Sequence, residues 1–170
     1  MLIRRGHFRD SVQFSALVVS LAKFEKLPRP SQSALNRLCD DVFVRKRLNS
    51  FVAEDGAELV GYALYYYTYS SFLAKPTLYL EDIFVLEGRR RHGVGSALFD
   101  RCVKEAAASG CGRMEWAVLN WNGKAMRFYL ARGARRLDEW SAFRLEERAI
   151  RNSLKRERRP GRSGRRLTSS

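Results

Sequence analysis

Cysteine, histidine and proline are scarce in this 170-residue chain, with three, two and four copies. Cys39, Cys102 and Cys111 are odd in number and none forms a C-x-x-C pair, so no disulfide framework is legible. His7 and His92 stand far apart, and four Cys/His ligands at zinc-site spacing are absent, so no metal is expected. Cys102 falls on the apolar stripe of a helical pattern, where a small buried hydrophobe is the expected role rather than a nucleophile. No run approaches the roughly 20 apolar residues of a membrane span. The opening MLIRRGHFRDS lacks the apolar core of a signal peptide, so a cytoplasmic location without membrane attachment is expected.

Acid is also in deficit, with 18 Asp+Glu against 32 Lys+Arg, a formal charge of +14. A nucleic-acid partner is the first class this suggests. Half of that excess, +7, lies in residues 151–170, RNSLKRERRPGRSGRRLTSS. That segment offers only Leu154 and Leu167 as large aliphatics and is expected to be disordered. No aromatic residue is interleaved there for base stacking, so a solvated tail is expected ahead of a nucleic-acid arm, and this tail is the one place where nucleic acid could bind. Residues 1–150, with 45% hydrophobic residues in the chain as a whole, are expected to form one domain.

Period and punctuation give an α+β order. Leu2–Arg4 is a short strand; Asp10 caps a helix over about 11–25, which Pro28 and Pro30 end. Ser31 caps a second, shorter helix through Cys39. Phe51–Ala53 and Leu59–Tyr69 flank the Asp55-Gly56 turn as a hairpin, and Leu78–Val85 reads as a central strand. A helix over about 94–109, a strand at Met114–Leu119 and a helix from Asn122 to near Gly133 follow. Two short strands are expected at Ala134–Leu137 and Ala142–Leu145.

The segment Arg89-Arg90-Arg91-His92-Gly93-Val94-Gly95-Ser96 follows a strand and opens a helix. Unsatisfied amides at a helix start, with glycines that admit close approach, suit a phosphate. The spacing is neither a Walker loop nor the three-glycine dinucleotide fingerprint, and by itself a plain glycine-rich turn serves equally well. Glu81-Asp82 stands upstream, and Asn122…Phe128-Tyr129…Gly133-Ala134 downstream. Together these resemble the GNAT acetyltransferase superfamily, and with Leu21–Glu25, Gly61–Tyr66 and Leu78–Val85 its diamine (spermidine/spermine-type) branch.

The resemblance implies the GNAT fold, a mostly antiparallel mixed sheet with flanking helices, and acetyl-CoA as cosubstrate. Ile83, Phe84 and Val85 would present strand-edge backbone to the acetyl-pantetheine arm, the Ile83 amide serving as oxyanion donor. Arg90, Arg91, His92, Gly93, Val94, Gly95 and Ser96 would hold the pyrophosphate. Asn122, Gly123, Lys124 and Ala125 would line the far side of the coenzyme. Tyr129 would protonate the departing thiolate, and Phe24, Glu25 and Glu81 would meet the amine. Relatives of this kind are homodimers, which is the expected assembly.

An alkyl amine of pKa about 10.4 arrives protonated, so a carboxylate must attract it and take its proton. Glu81 is the candidate, with Asp82 beside it. Neighbouring strand residues face opposite ways, so only one of the two reaches the substrate unless a bulge intervenes. Ser141 stands where the vertebrate-like enzymes carry a substrate-contacting Glu, and Asp138 or Glu139 could replace that charge. The expected activity is acetyl transfer to a small diamine or polyamine by direct attack in a ternary complex. Acetylation of an amino acid or lysine-like amine is the alternative, and a nucleic-acid or ribosome-associated module working through the tail is the rival of another class.

Overall fold

A computed structural model describes residues 1–157. They fall into two compact units, Met1–Leu119 and one that begins at Asn120. No helix among the described residues is long and apolar enough to cross a membrane.

The first unit is a five-stranded sheet in the order β1-β2-β3-β4-β5. Its strands are β1 (Leu2–Arg5), β2 (Asn49–Asp55), β3 (Glu58–Ser70), β4 (Lys75–Val85) and β5 (Arg113–Glu115). The first three pairings are antiparallel and β4–β5 is parallel. Helix α1 (Ser11–Phe24), helix α2 (Gln32–Cys39) and helix α3 (Val94–Ala108) complete it. The Asp55-Gly56 turn forms with Gly56 at φ 63°, the left-handed conformation that glycine adopts without cost. Ser31 caps α2 as expected, its hydroxyl accepting from the Ala34 amide at 3.2 Å.

One core cluster joins α1 to the sheet: Phe14, Leu17 and Leu21 pack with Val52, Tyr62, Leu64 and Phe84. Phe14 meets Tyr62 and Phe43 edge-on at ring-centroid distances of 5.0 and 5.3 Å. Phe43 arrives through a feature absent from the sequence reading. Instead of stopping at Cys39, α2 runs on through a π-turn, Asp40–Val44, which buries Val42 and Phe43. Such one-turn π segments follow from tertiary packing rather than from local propensity.

Two close approaches hold the frame. Gly61 on β3 lies so near β4 that a Cβ there would stand 2.7 Å from the Phe84 carbonyl oxygen. Buried Asp10 accepts a two-pronged hydrogen bond from Arg4, at 2.7 and 2.9 Å, and another from the His7 amide at 2.8 Å. Burial raises the Asp10 pKa, but Arg4 and the His7 amide outweigh it and hold the carboxyl below its usual range.

Three expectations need correction. Of the strand expected at Met114–Leu119, only Met114 and Glu115 pair, in a strand that begins one residue earlier, at Arg113. Residues 134–137 and 142–145 of the second unit form no strands; Trp140 and Phe143 there are exposed, and without a partner ladder a short segment has nothing to hold it extended. In the same unit, α4 (Gly123–Leu130) is followed by α5 (Glu147–Glu157). That helix crosses the expected start of the tail, so 151–157 are helical, where neighbouring turns make a Glu147–Arg151 ion pair. The remainder, 158–170, lies outside the described residues.

Gly61→Ala is expected to cost on the order of 1–3 kcal/mol, because backbone rather than a yielding side chain blocks the new methyl. Urea denaturation measures it. Asp10→Ala is expected to cost about 3 kcal/mol at pH 7 by leaving Arg4 without its main partner. Because the native carboxyl pKa is depressed, its stabilisation is present above the unfolded value near 3.9 and fades as pH falls through the native one. The wild-type advantage over Asp10→Ala in thermal melts should therefore shrink on acidification.

Candidate active site

Strand β4 is irregular where the chemistry was expected. Leu64 on β3 faces Asp82 while its neighbour Tyr65 faces Leu80, so Glu81 is an extra, unpaired residue and forms a bulge. The exception allowed for in the Glu81-Asp82 pair is therefore realised, and strict alternation no longer forces the two acids apart. Pairing with β5 ends at Tyr79, two residues earlier. From Leu80 to Val85, β4 has no strand partner on that side among the described residues of the first unit.

The backbone of this free edge can be assigned by parity. The Leu86 amide donates to the Val60 carbonyl at 3.0 Å, toward β3. Alternate residues turn their N–H and C=O to opposite sides, so Ile83 and Val85 point away from β3, onto the open edge. Phe84 turns its amide toward β3 and contributes its ring instead, a departure from the expectation that all three residues offer backbone. The ring lies 6.5 Å from Phe24 and 6.4 Å from Tyr62, centroid to centroid.

The acids gather at the bulge. The Tyr62 hydroxyl donates to Asp82 Oδ2 at 3.1 Å. Burial, with repulsion from Glu81 and Glu25, pushes the Asp82 carboxyl up to about 6 despite that bond. Glu25, just past the C-terminus of α1, has its own pKa raised by burial. Beyond the bulge, Tyr66 and Tyr79 face each other across the strands at 5.2 Å between ring centroids, and burial, with repulsion from Glu81, raises the pKa of both. Phe24 thus lies against Phe84, and Glu25 and Glu81 both lie close enough to Asp82 to repel its charge. The reading missed Asp82 as the strongly perturbed acid and Tyr62 as its donor. The Glu-Asp pair was the available signal, but no local pattern announces a bulge.

The loop that follows is an amide-rich turn. Arg91 and Gly93 both have positive φ, 68° and 78°, and Gly93 is the N-cap of α3. Ala97 is the first residue of that helix to reach back, donating to the Gly93 carbonyl at 2.9 Å. The amides of Val94, Gly95 and Ser96 therefore lack intrahelical acceptors and suit a phosphate. Open space surrounds a hypothetical Gly93 Cβ, so its φ rather than packing demands glycine. Arg89 bonds Asp55 at 2.8 Å, tying the loop to the β2–β3 turn. The Arg90 side chain turns inward, away from the expected phosphate role: its Nε donates to the Val85 carbonyl at 2.8 Å.

In the second unit, Asn122 caps α4 by accepting from the Ala125 amide at 3.2 Å, so Gly123 and Lys124 occupy its first turn. Tyr129 is the buried residue of α4, its ring edge-on to Phe128 at 5.1 Å between centroids. Asp138 forms an ion pair with Arg136 and Glu139 with Arg135, both exposed.

Known proteins place the chain in a family. The acetyltransferase (GNAT) family matches residues 17–134. A thialysine N-epsilon-acetyltransferase of Bos taurus is 34% identical over 163 residues, covering 89% of this chain and 95% of its own. An L-ornithine N5-acetyltransferase of Arabidopsis thaliana is 40% identical over 108 residues, 64% of this chain and 45% of its own. The crystal structure of a probable acetyltransferase superposes with a TM-score of 0.76 at 24% identity, covering 86% of this chain and 97% of that one, a likeness of fold. With its sheet, free β4 edge and amide-rich loop, this chain belongs to the GNAT acetyltransferase family and is an acetyl-CoA-dependent N-acetyltransferase.

Proposed function

We propose that the chain transfers acetyl to a terminal primary amine of a small diamine or polyamine, within a catalytic domain spanning residues 1–150. One observation carries this reading: Asp82, next to the open β4 edge, lies near two further carboxyls, Glu81 and Glu25, and the hydroxyl of Tyr62 rather than a cation bonds it. Such a group attracts an ammonium and holds a carboxylate ready to take its proton.

Each side chain then has a task. Glu81, exposed on the bulge, and Glu25 draw in the charged amine, whose remaining chain passes over Tyr66 and Tyr79. Asp82 accepts the proton, directly or through a water. A carboxyl at about 6 is a better acceptor than an ordinary one near 3.9, by about 3 kcal/mol, yet stays about nine-tenths ionised at pH 7. The freed nitrogen attacks the thioester carbon, and the Ile83 N–H donates to the oxygen as its charge develops. The amides from Arg91 to Ser96 hold the pyrophosphate. As the carbon–sulfur bond breaks, Tyr129 gives its phenolic proton to the thiolate. Asn122 to Ala125 line the coenzyme.

A lysine-like amino acid is the second reading, favoured by the relatives that act on thialysine and ornithine. Thiol release with a diamine, spermidine and a basic amino acid separates the two; turnover of carboxylate-bearing amines alone would exclude the polyamine reading.

Asp82→Asn should lower kcat/KM for the amine by about 10²-fold and remove the wild-type decline below pH 6. The native pKa is raised, so the folded state binds the proton more tightly than the unfolded one. Asp82 therefore detracts from stability progressively as pH rises from about 4 through 6. Asp82→Asn, which can still accept from Tyr62, should be more stable than wild type at pH 7, by on the order of 1–3 kcal/mol, and lose that margin near pH 4. An inactive but unstabilised variant would argue against a buried base. Tyr129→Phe should lower kcat by about 10²-fold with the amine KM nearly unchanged; steady-state thiol release checks it.

A further inference from the structure

Arg90 occupies the position where the loop sequence leads one to expect a phosphate ligand, yet its side chain is engaged elsewhere. Its Nε donates to the Val85 carbonyl at 2.8 Å. Its guanidinium carbon lies 4.6 Å from the centre of the Phe24 ring and 5.5 Å from that of Phe84. Phe24 ends α1 next to Glu25, Phe84 follows the Glu81 bulge by three residues, and Val85 belongs to the open edge. We infer that Arg90 is a positioning residue that couples the coenzyme loop to the amine pocket, fixing the end of α1 against β4 when the loop is ordered.

The chemistry of each contact supports that task. The Val85 carbonyl faces away from β3 and would otherwise be an unpaired acceptor on the free edge. Arg90 satisfies it, so that beyond the bulge the open backbone is the Ile83 N–H and C=O and the Val85 N–H. A cation against two aromatic faces resists sliding of α1 along β4, because displacement loses both contacts. The backbone of Arg90 adjoins Arg91, whose φ of 68° belongs to the turn that presents the amides. Ordering that turn around an anion orders Arg90, and by linkage an occupied amine pocket favours the same loop geometry.

The inference rests on the acetyltransferase reading, and its test includes a measurement that needs no turnover. Arg90→Met keeps the apolar stem but loses donor and charge, whereas Arg90→Lys keeps a charge that can reach the same groups. Arg90→Met should raise the amine KM about tenfold, from loss of a cation–π pair and a charge-assisted bond, and change the Kd of coenzyme A less than threefold. Arg90→Lys should recover much of that loss. In wild type, coenzyme A should slow amide hydrogen exchange in the peptide spanning residues 20–27; in Arg90→Met that protection should be lost. A tenfold loss of coenzyme A affinity with an unchanged amine KM would make Arg90 a phosphate ligand and overturn the proposal. Unchanged exchange and kinetics would overturn it as well. Wild type that binds coenzyme A with the predicted protection but acetylates no amine would refute the functional reading while leaving the coupling intact.

Discussion

The parting of β4 from β5 is the constraint on which the site depends. A parallel neighbour that continued past Tyr79 would consume the amides of Ile83 and Val85 in a ladder. Pairing stops there, and the Glu81 bulge follows within two residues. Bulges bend a strand and raise its local twist, so the extra residue is a physical reason for a sheet to open at that point. One inserted residue thereby does two things: it falls where the strand edge becomes free, and it breaks the strict alternation between the adjacent carboxyls Glu81 and Asp82.

Electrostatics at this point runs against the character of the whole chain. The protein carries +14, yet Asp82 lies near Glu81 and Glu25, and its burial, with repulsion from those two, pushes its carboxyl up to about 6. Burial and like charge both disfavour the ionised form, and the Tyr62 hydroxyl offsets only part of that. The destabilisation is local and tolerable because the surrounding frame is firmly held. Phe14 and Tyr62 anchor the core, and the Arg4–Asp10 pair fastens β1 to the turn before α1. Basic residues instead crowd the loop before α3, where an anionic coenzyme is the natural partner.

Much of the architecture was open to a reading of periodicity and punctuation. The caps at Ser31 and Asn122 and the Asp55-Gly56 turn rest on local chemistry, since a hydroxyl or amide side chain satisfies helix-start donors wherever it occurs. What escaped that reading depended on distant partners. The π-turn after Cys39 exists to bury Val42 and Phe43, the expected strands after Gly133 lacked a ladder to join, and α5 extends across residues expected to be disordered. The site followed the same division. Glu81, Glu25, Phe24 and the glycine loop could be named in advance, whereas the inward turn of Arg90 and the raised pKa of Asp82 could not.

By itself, the sequence determined the element order, the family resemblance and which residue types were available for acyl transfer, because spacing and side-chain chemistry are properties of the chain. Tertiary structure alone decided the burial that raises the Asp82 pKa, which backbone amides of β4 are free and where the Arg90 charge goes. Those outcomes depend on pairing register, burial and approach between segments remote in sequence, and one unpaired residue at Glu81 is enough to change all the facing relations around it.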